Sequence, residues 1–486
     1  MTSVAPGHDA DLAVIGAGPA GIRAAVTADA LGLKVVLLDE AEAPGGQVYR
    51  ALPDALRPVA GPGEDSDLRT GDGLRADLAA SGADVRLGRR VWSVLTDETR
   101  FRIDALGPAG AETVRTRSVV AATGATERTQ PFPGWTLPGI GGLAAATILL
   151  KSQRVLPGRR TVVAGAGPLL LLVAAKILKA GGTVPAVIDL AGRRDWLGSL
   201  PAVAGRPDLF GRGLAWQWAL RRASVPILYR HTVLQAQGGD CLERVAVGPV
   251  DADGRPFQRG PTRIFEADAL AIGHGLTPAI EISRLLGAEH RFDHGKGGWI
   301  AKTDDDGRAS LPGLYVAGDG AGIRGAAAAE LQGGLTALAA SRDLGVLSEP
   351  EHARRVGPLR RAHRRAARFG SAMARLMAAR PAGLESMPAE TVVCRCEDVT
   401  RAEIDTALGD GAEDINQLKH FTRCGMGPCQ GRMCGEAVAE ILALHVGGRP
   451  AVGLWTARTP IRPMPLDQVL GDFDYADIPI PPPAPI

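Results

Sequence analysis

At 486 residues the chain exceeds what a single hydrophobic core usually organises, so roughly two to four domains are expected. Apolar residues at 45% and charged residues at 22% are the balance of a globular protein, and a formal net charge of +2 gives no general attraction to nucleic acid or anionic membranes. The opening "MTSVAPGHDADLAVIG" has no basic stretch leading into an apolar one, so no secretory signal is expected and a cytoplasmic setting is.

The first predicted unit is "DLAVIGAGPAGIRAAVTADALGLKVVLLDE", Asp11 to Glu40. An apolar run leads into Gly16-Ala17-Gly18-Pro19-Ala20-Gly21, then an alanine-rich helical stretch, then a second apolar run ending at Asp39-Glu40. This is strand, tight turn, helix, strand, with an acid where the second strand stops. Gly16 permits the turn, Gly18 lets a pyrophosphate approach the backbone, and Gly21 lets the helix pack on the sheet. The helix start offers unpaired N–H groups to phosphates. Asp39, or failing it Glu40, is placed to accept hydrogen bonds from a ribose. Further along, "PGGQ" (Pro44 to Gln47) is a glycine turn, and "VVAATGA" (Val119 to Ala125) is a buried strand ending in small residues.

The pattern recurs in "TVVAGAGPLLLLVAAKILKAGGTVPAVID", Thr161 to Asp189, with Gly165 and Gly167 in the glycine positions. Its apolar part, Thr161 to Ala175, is too short and too interrupted to span a bilayer. Leu170 replaces the third glycine and is expected to hold the helix further from its sheet. Asp189 suits an unphosphorylated ribose, while Arg193 and Arg194 would suit a phosphorylated one. Whether this second fold holds a nucleotide (NAD, NADP or ATP) stays open. A later strand, "GLYVAGDGAG" (Gly313 to Gly322), ends in Gly318-Asp319 ahead of another alanine-rich helix.

Together these segments resemble the two-dinucleotide-binding-domain flavoproteins, the glutathione-reductase-like group. The resemblance implies an α/β fold that holds FAD through Gly16, Gly18, Pro19, Ala20, Gly21, Asp39, Gly46, Gln47, Gly124, Gly318 and Asp319. It implies an FAD domain in two parts, 1–150 and 276–348, interrupted by an NAD-type domain at 151–275 where Gly165, Gly167 and Asp189 would act. The chain contains no CxxC, so the redox disulfide of the disulfide-reductase branch is missing. Cys241 stands alone and reads as a core or loop residue. His274, in "AIGHGL", also has no partner in sequence and reads as structural.

From His352 to Arg380 the chain is arginine-rich and helical, with Leu359, Ala362, Ala366, Phe369, Met373 and Leu376 forming an apolar stripe. Such a helix is expected to pack on its own domain or a partner subunit. The segment 349–388 thus combines basic helix and linker, and 451–486 is an extended, proline-rich tail.

Five of the six cysteines fall between 394 and 434: Cys394, Cys396, Cys424, Cys429 and Cys434. Clustered thiols in a reducing compartment point to metal or redox chemistry more than to disulfides. Predicted helices at 400–411 and 414–423 make this a small helical module around a metal centre. Four thiolates suit zinc or an iron–sulfur cluster, though zinc sites usually show CxxC knuckles. The segment 389–450 resembles the bacterioferritin-associated ferredoxin module, a [2Fe–2S] domain. That resemblance puts Cys394, Cys396 and Cys429 in ligand positions, although the small ferredoxin closes with CxxC. The segment also resembles glycerol-3-phosphate dehydrogenase flavoprotein subunits, which keep the Cx4C step from Cys429 to Cys434 and lack a cysteine corresponding to 424. This implies Cys434 as the fourth ligand and Cys424 as a nearby spare thiol.

The order of the flavoprotein segments, "PFPGWTLPGI" (Pro131 to Ile140) and "CRCE…TRCGMGPCQGRMC" resembles the α subunits of heteromeric amine and amino-acid dehydrogenases. That family implies a partner β subunit of amino-acid-oxidase-like flavoprotein type that oxidises the C–N bond, with room for a small third iron–sulfur subunit. Opines, D-hydroxyproline, proline, sarcosine and glycine are the substrate class. No nucleophile with its base, and no His or Arg constellation for an amino-acid carboxylate, is evident here, so no catalytic residue is expected on this chain. The alternative is a self-sufficient NAD(P)H-dependent reductase passing electrons from FAD to the cluster.

Overall fold

A computed structural model describes residues 9–56, 66–96, 101–257 and 259–468. The proline-rich stretch from Asp477 to Ile486 lies outside them. The first sheet has the order Asp84–Leu87, Val35–Asp39, Ala10–Ile15, Gly110–Ala121, Phe101–Gly107, Arg90–Thr96, with Leu314–Val316 also on Gly110–Ala121. The long strand Gly110–Ala121 pairs differently along its length. Its first half runs antiparallel to Phe101–Gly107, and its second half runs parallel to Ala10–Ile15 and Leu314–Val316.

Both faces of this sheet are covered, which is why its central strands are unbroken apolar runs. Leu12, Val14, Val35 and Leu37 face the helices Pro19–Asp29 and Ala326–Asp343. Ala13, Ile15, Val36 and Leu38 face Val94, Phe101 and Ile103 of the antiparallel ribbon.

The second sheet is parallel throughout, in the order Ile227–Tyr229, Val187–Asp189, Thr161–Gly165, Ala269–Gly273, Ile140–Gly142. It therefore recruits a strand, Ile140–Gly142, that precedes the expected start of the inserted domain at 151. A three-stranded antiparallel sheet, His231–Gln237, Arg244–Pro249 and Arg263–Glu266, flanks it. The chain leaves the first sheet through Ala125–Glu127 and returns through Leu276–Pro278, and these two short strands pair antiparallel.

The helix Glu349–Leu376 is basic, as expected, but its inward face differs from the anticipated stripe. Ala362 is exposed, and the buried positions include His352, Val356, His363, Gly370, Met373 and Leu376. Histidines are inward here because burial keeps them uncharged: His363 is pushed down to about 4 by desolvation and by Arg324. Another edge of the helix, with Arg364, Arg368 and Arg375, lines a cavity of about 670 Å³ shared with Lys296 and Arg324. Among the described residues no helix is long and apolar enough to cross a membrane.

The cysteine module folds around its own core of Val393, Val399, Ile404, Ile415, Leu418, Val438 and Ile441. Thr400 and Asp414 cap its first two helices, Arg401–Gly409 and Ile415–Thr422, each completing a capping box with Glu403 or Gln417.

Gly21 shows how tightly the first unit is built. A Cβ there would overlap the Gly16 carbonyl oxygen and lie 3.3 Å from Val14 Cγ1. Gly21→Ala is therefore expected to destabilise the chain by about 1–3 kcal/mol through overpacking and to lower the flavin content of purified protein, read by thermal unfolding and visible absorbance.

Candidate flavin cleft and thiol centre

The sheet register brings three loops to one edge. Ile15 pairs with Ala121, and Ala121 with Val316, so the turns beginning at Gly16, Ala122 and Ala317 leave the sheet side by side. This is the carboxyl end of parallel strands, where doubly wound sheets bind ligands. Gly16 has φ 106°, Gly46 has φ 61°, Gly124 has φ 73° and Gly318 has φ 74°, so glycine supplies backbone that other residues resist. The Gly45-Gly46 turn sits against the phosphate loop, with a Cβ on Gly46 falling 2.9 Å from Gly18 Cα. The loop after Thr123 is pinned by its hydroxyl donating to the Ala279 carbonyl at 2.7 Å.

Asp39 closes the cleft from the second strand. Its carboxylate accepts from the Ala17 and Ala41 amides, the latter at 2.7 Å. Burial raises its pKa while those amides oppose the shift. Glu40 is exposed and lies 3.9 Å from Arg90 and Arg462, so the structure places Asp39, not Glu40, at the cleft. Gln47 is also exposed, accepting from Arg50 at 2.9 Å. Asp319 accepts from the Arg324 amide at 3.1 Å, and burial raises its pKa. The Gly318 amide donates to Gln332 at 3.2 Å.

The second glycine turn is formed and covered. Gly165 and Gly167 adopt φ 131° and 93°, but a Cβ on Gly167 would overlap Met377 Cγ and lie 3.0 Å from its sulfur. Asp189 is 3% exposed. It accepts from the Trp196 indole at 2.8 Å and the Ala191 amide at 2.9 Å, and burial lifts its pKa to about 6. Arg380 donates to the Leu190 carbonyl at 2.7 Å and to Asp195 at 2.9 Å, fastening the chain across this edge. Ala191, Met373, Leu376, Met377 and Trp196 make one apolar cluster there. Leu170 is absorbed into the core with Leu143, Val163 and Ala271. His274 is buried, and desolvation with Arg128 pushes its pKa down to about 4, so it is neutral.

The five clustered thiols fall into a trio and a pair. Cys394 is hydrogen-bonded to Cys424 and Cys434, and Cys396 to Cys429. The Gly425 and Glu397 amides also point at the Cys394 sulfur, which these donors together pull far below the usual thiol range. The hydrogen bond to Cys394 pushes Cys424 up to about 12. Among the described residues no three His, Cys, Asp or Glu side chains are grouped so as to hold a single ion. A two-iron cluster takes two thiolates per iron, and amides aimed at sulfur suit its negative charge, so this donor set fits one. Trp455 covers the segment, its ring 3.2 Å from a Cβ built on Gly425 and 2.9 Å from one on Gly431.

The module is clamped to the body of the chain. The Trp135 indole donates to the Val392 carbonyl at 2.6 Å, and Arg395 lies over the same ring at 5.5 Å. Glu281 takes Arg432 at 3.1 Å and Arg462 at 3.3 Å. Met377, Glu281 and Trp455 carried no sequence signal, because each acts through partners far away in the chain; Trp196 reaches Asp189 only seven residues back, but no motif marks that pair.

Fold and site define an FAD-dependent oxidoreductase that also carries a [2Fe–2S] cluster. The pyridine nucleotide-disulphide oxidoreductase family matches residues 10–333, and the BFD-like [2Fe-2S] binding domain matches residues 392–443. The chain belongs to the family of the α subunits of heteromeric amine and amino-acid dehydrogenases, represented by the A subunit of opine oxidase from Agrobacterium tumefaciens and the HcnB subunit of hydrogen cyanide synthase from Pseudomonas protegens. The first is 36% identical over 94% of this chain and 91% of its own length, the second 36% identical over 93% and 96%. The alpha subunit of sarcosine oxidase from Rhizobium meliloti is 27% identical over 95% of this chain and 42% of its own length. L-proline dehydrogenase from P. horikoshii shares the fold at TM-score 0.67 and 21% identity, over 95% of this chain and 79% of that one.

Glu281 generates a prediction. Burial pushes its pKa up, but Arg432 and Arg462 win and hold it below the ordinary range. A depressed carboxylate stabilises the fold fully above the unfolded value of about 4.3 and loses that contribution as acid protonates it. Glu281→Gln is expected to cost about 1–2 kcal/mol at neutral pH for a partly exposed pair. The gap from wild type should shrink as pH falls below about 4.3, followed by thermal unfolding with far-ultraviolet circular dichroism as the probe.

Proposed function

We propose that this chain is the electron-transfer subunit of a heteromeric amino- or imino-acid dehydrogenase of the opine, D-hydroxyproline, proline, sarcosine or glycine class. It receives electrons from a partner flavoprotein subunit that oxidises the C–N bond. A flavin takes electrons in pairs and releases them singly, whereas a [2Fe–2S] centre carries one at a time, so the two together couple pairwise oxidation to single-electron transfer. The chain's own residues would hold these groups and keep water from them. Asp39 would orient the ribose, the Gly16–Gly21 turn and helix start would hold the pyrophosphate, and Asp319 would hold the sugar-alcohol chain. Cys394, Cys396, Cys429 and Cys434 would hold the irons, with Trp455 shielding their loop.

The observation that carries this reading is the covered second cleft. Met377 lies over the Gly167 turn, and Trp196 uses the Asp189 carboxylate a ribose would need. A reduced nicotinamide nucleotide has no open seat there, which speaks against the self-sufficient reductase and for electrons arriving from another polypeptide. The basic cavity beside Arg324 offers an acidic partner surface a place to dock.

Mixing the purified chain anaerobically with NADH or NADPH is expected to leave the flavin oxidised. Co-expression with a partner subunit of amino-acid-oxidase-like type is expected to yield dye reduction with at least one of opines, D-hydroxyproline, proline, sarcosine or glycine. Rapid bleaching by either nucleotide, or full amino-acid oxidation by this chain alone, would overturn the assignment.

A further inference from the structure

The basic cavity beside Arg324 carries more positive charge than the fold neutralises. Seven cationic side chains line it against two carboxylates, those of Asp304 and Asp305, and Asp304 is already held by Arg308 at 3.2 Å. Arg291 and Lys296 share Asp293 at 3.2 and 3.5 Å, and Asp306 holds Arg360 at 2.7 Å. Arg324, Arg364, Arg368 and Arg375 make no ion pair among the described residues. Like charges gathered without partners work against the compact state, so their collection in one concave place points to a ligand of opposite sign. His363 supplies an independent sign. It is 9% exposed and lines the same cavity, yet its Nε2 has no hydrogen-bond partner among the described residues. Buried polar atoms are nearly always paired.

Further features describe the occupant. Arg364, Arg368 and Arg375 are exposed at the mouth and spread over about 16 Å of helix, more than one phosphate or carboxylate can span. The helix Arg193–Ala204 borders the same mouth. Pro201 lines the cavity, and Leu197 and Leu200, on the same face by helical spacing, are exposed. A small anion would leave those leucines in water, whereas a protein surface covers them. The seat is also firm. A Cβ on Gly370 would overlap the Arg324 carbonyl oxygen, so the basic helix presses directly on the segment that carries the cavity floor.

We propose that this cavity is the docking seat for the partner flavoprotein subunit, entered by a protruding segment that carries a pair of carboxylates and an adjoining apolar residue. This rests on the subunit reading above. The carboxylates lie among Arg324, Arg364 and Arg368, one of them accepting from His363 Nε2, and the apolar residue covers Leu197 and Leu200. A neutral imidazole has one N–H to give, and the carboxylate selects the tautomer that places it on Nε2. The seat shares its floor with the proposed flavin site. Gln332 lines the cavity and accepts from the Gly318 amide at 3.2 Å, while Arg324 lies just beyond Asp319 in the chain and its amide donates to that carboxylate. Docking here brings the electron donor to the flavin segment.

The test uses the full-length chain, loaded with flavin and cluster, and the partner subunit whose co-expression yields dye reduction. Affinity is measured by titration calorimetry at low and high salt, with flavin and iron per chain as the check on folding. Arg364→Glu/Arg368→Glu is expected to weaken the complex about hundredfold, and Leu200→Asp about tenfold, each with flavin and iron unchanged. Arg354→Glu/Arg355→Glu, at exposed arginines of the same helix outside the cavity, should bind as wild type does. Raising the salt should weaken the wild-type complex far more than the doubly reversed one. Equal affinity of wild type and the double reversal would overturn the docking seat and leave the subunit reading standing. Saturable binding of inorganic phosphate to the chain alone, lost in His363→Ala while the complex persists, would make this a small-anion site and overturn the seat as well. If no partner yields dye reduction, the subunit reading itself falls and the seat with it, an outcome reached before any variant is compared.

Discussion

A buried guanidinium, that of Arg128, ties the parts of this molecule together. It follows the short strand Ala125–Glu127 that links the two sheets, and it donates to the carbonyls of His274 at 3.1 Å, Met377 at 3.4 Å and Gly297 at 2.8 Å. Burial pushes its pKa down, and the charges of Glu436 and Glu440 only partly oppose that shift. Charge in such a place is tolerated only when hydrogen bonds replace water, so the three carbonyls must stay where they are. They belong to the return strand's approach, the end of the basic helix and the turn beside the second FAD segment. A rotation of one sheet against the other would strand the guanidinium, and that cost favours one fixed arrangement.

That arrangement decides how the second nucleotide fold is used. The residue whose carbonyl Arg128 holds is the one whose side chain fills the Gly167 turn. Met377 is therefore fastened from both ends, and the cleft it covers is closed by the same interaction that fixes the sheets. Trp196 and Arg380 seal the remaining edge. The unit has kept the strand–turn–helix geometry of a nucleotide site while its carboxyl end serves as the seat for a helix.

Much of this was legible in the chain. The two glycine turns, the acids that follow them, the flavoprotein fold and the cysteine module all rest on local patterns, and local patterns survive in sequence because the backbone itself demands them. Gly16 and Gly21 are readable since no other residue fits. The inward face of the basic helix was not readable: Ala362 points outward and His363 inward because Arg324 and the cavity wall, nearly forty residues earlier in the chain, set the environment. The same holds for Met377 over Gly167, some 210 positions away. Closure of the second cleft depends on a long-range contact that no window of sequence contains. Choosing between Asp39 and Glu40 likewise needed the fold, since adjacent residues on a strand end point to opposite sides.

The cysteine module shows the complementary case, where a local motif needs tertiary context to be sorted. Spacing alone counts five thiols. Their hydrogen bonds in the folded chain divide them into a trio, Cys394, Cys424 and Cys434, and a pair, Cys396 and Cys429. Glu281, Trp135 and Arg432 then hold the module against the flavoprotein body, and they do so with groups drawn from both sheets' connections. On the proposed reading the centre exchanges single electrons with a flavin, and it then gains from being held in one place, because transfer depends on a separation that flexing would vary. The rigid hinge at Arg128 and the clamp at Glu281 meet the same requirement from the two sides of the cluster module.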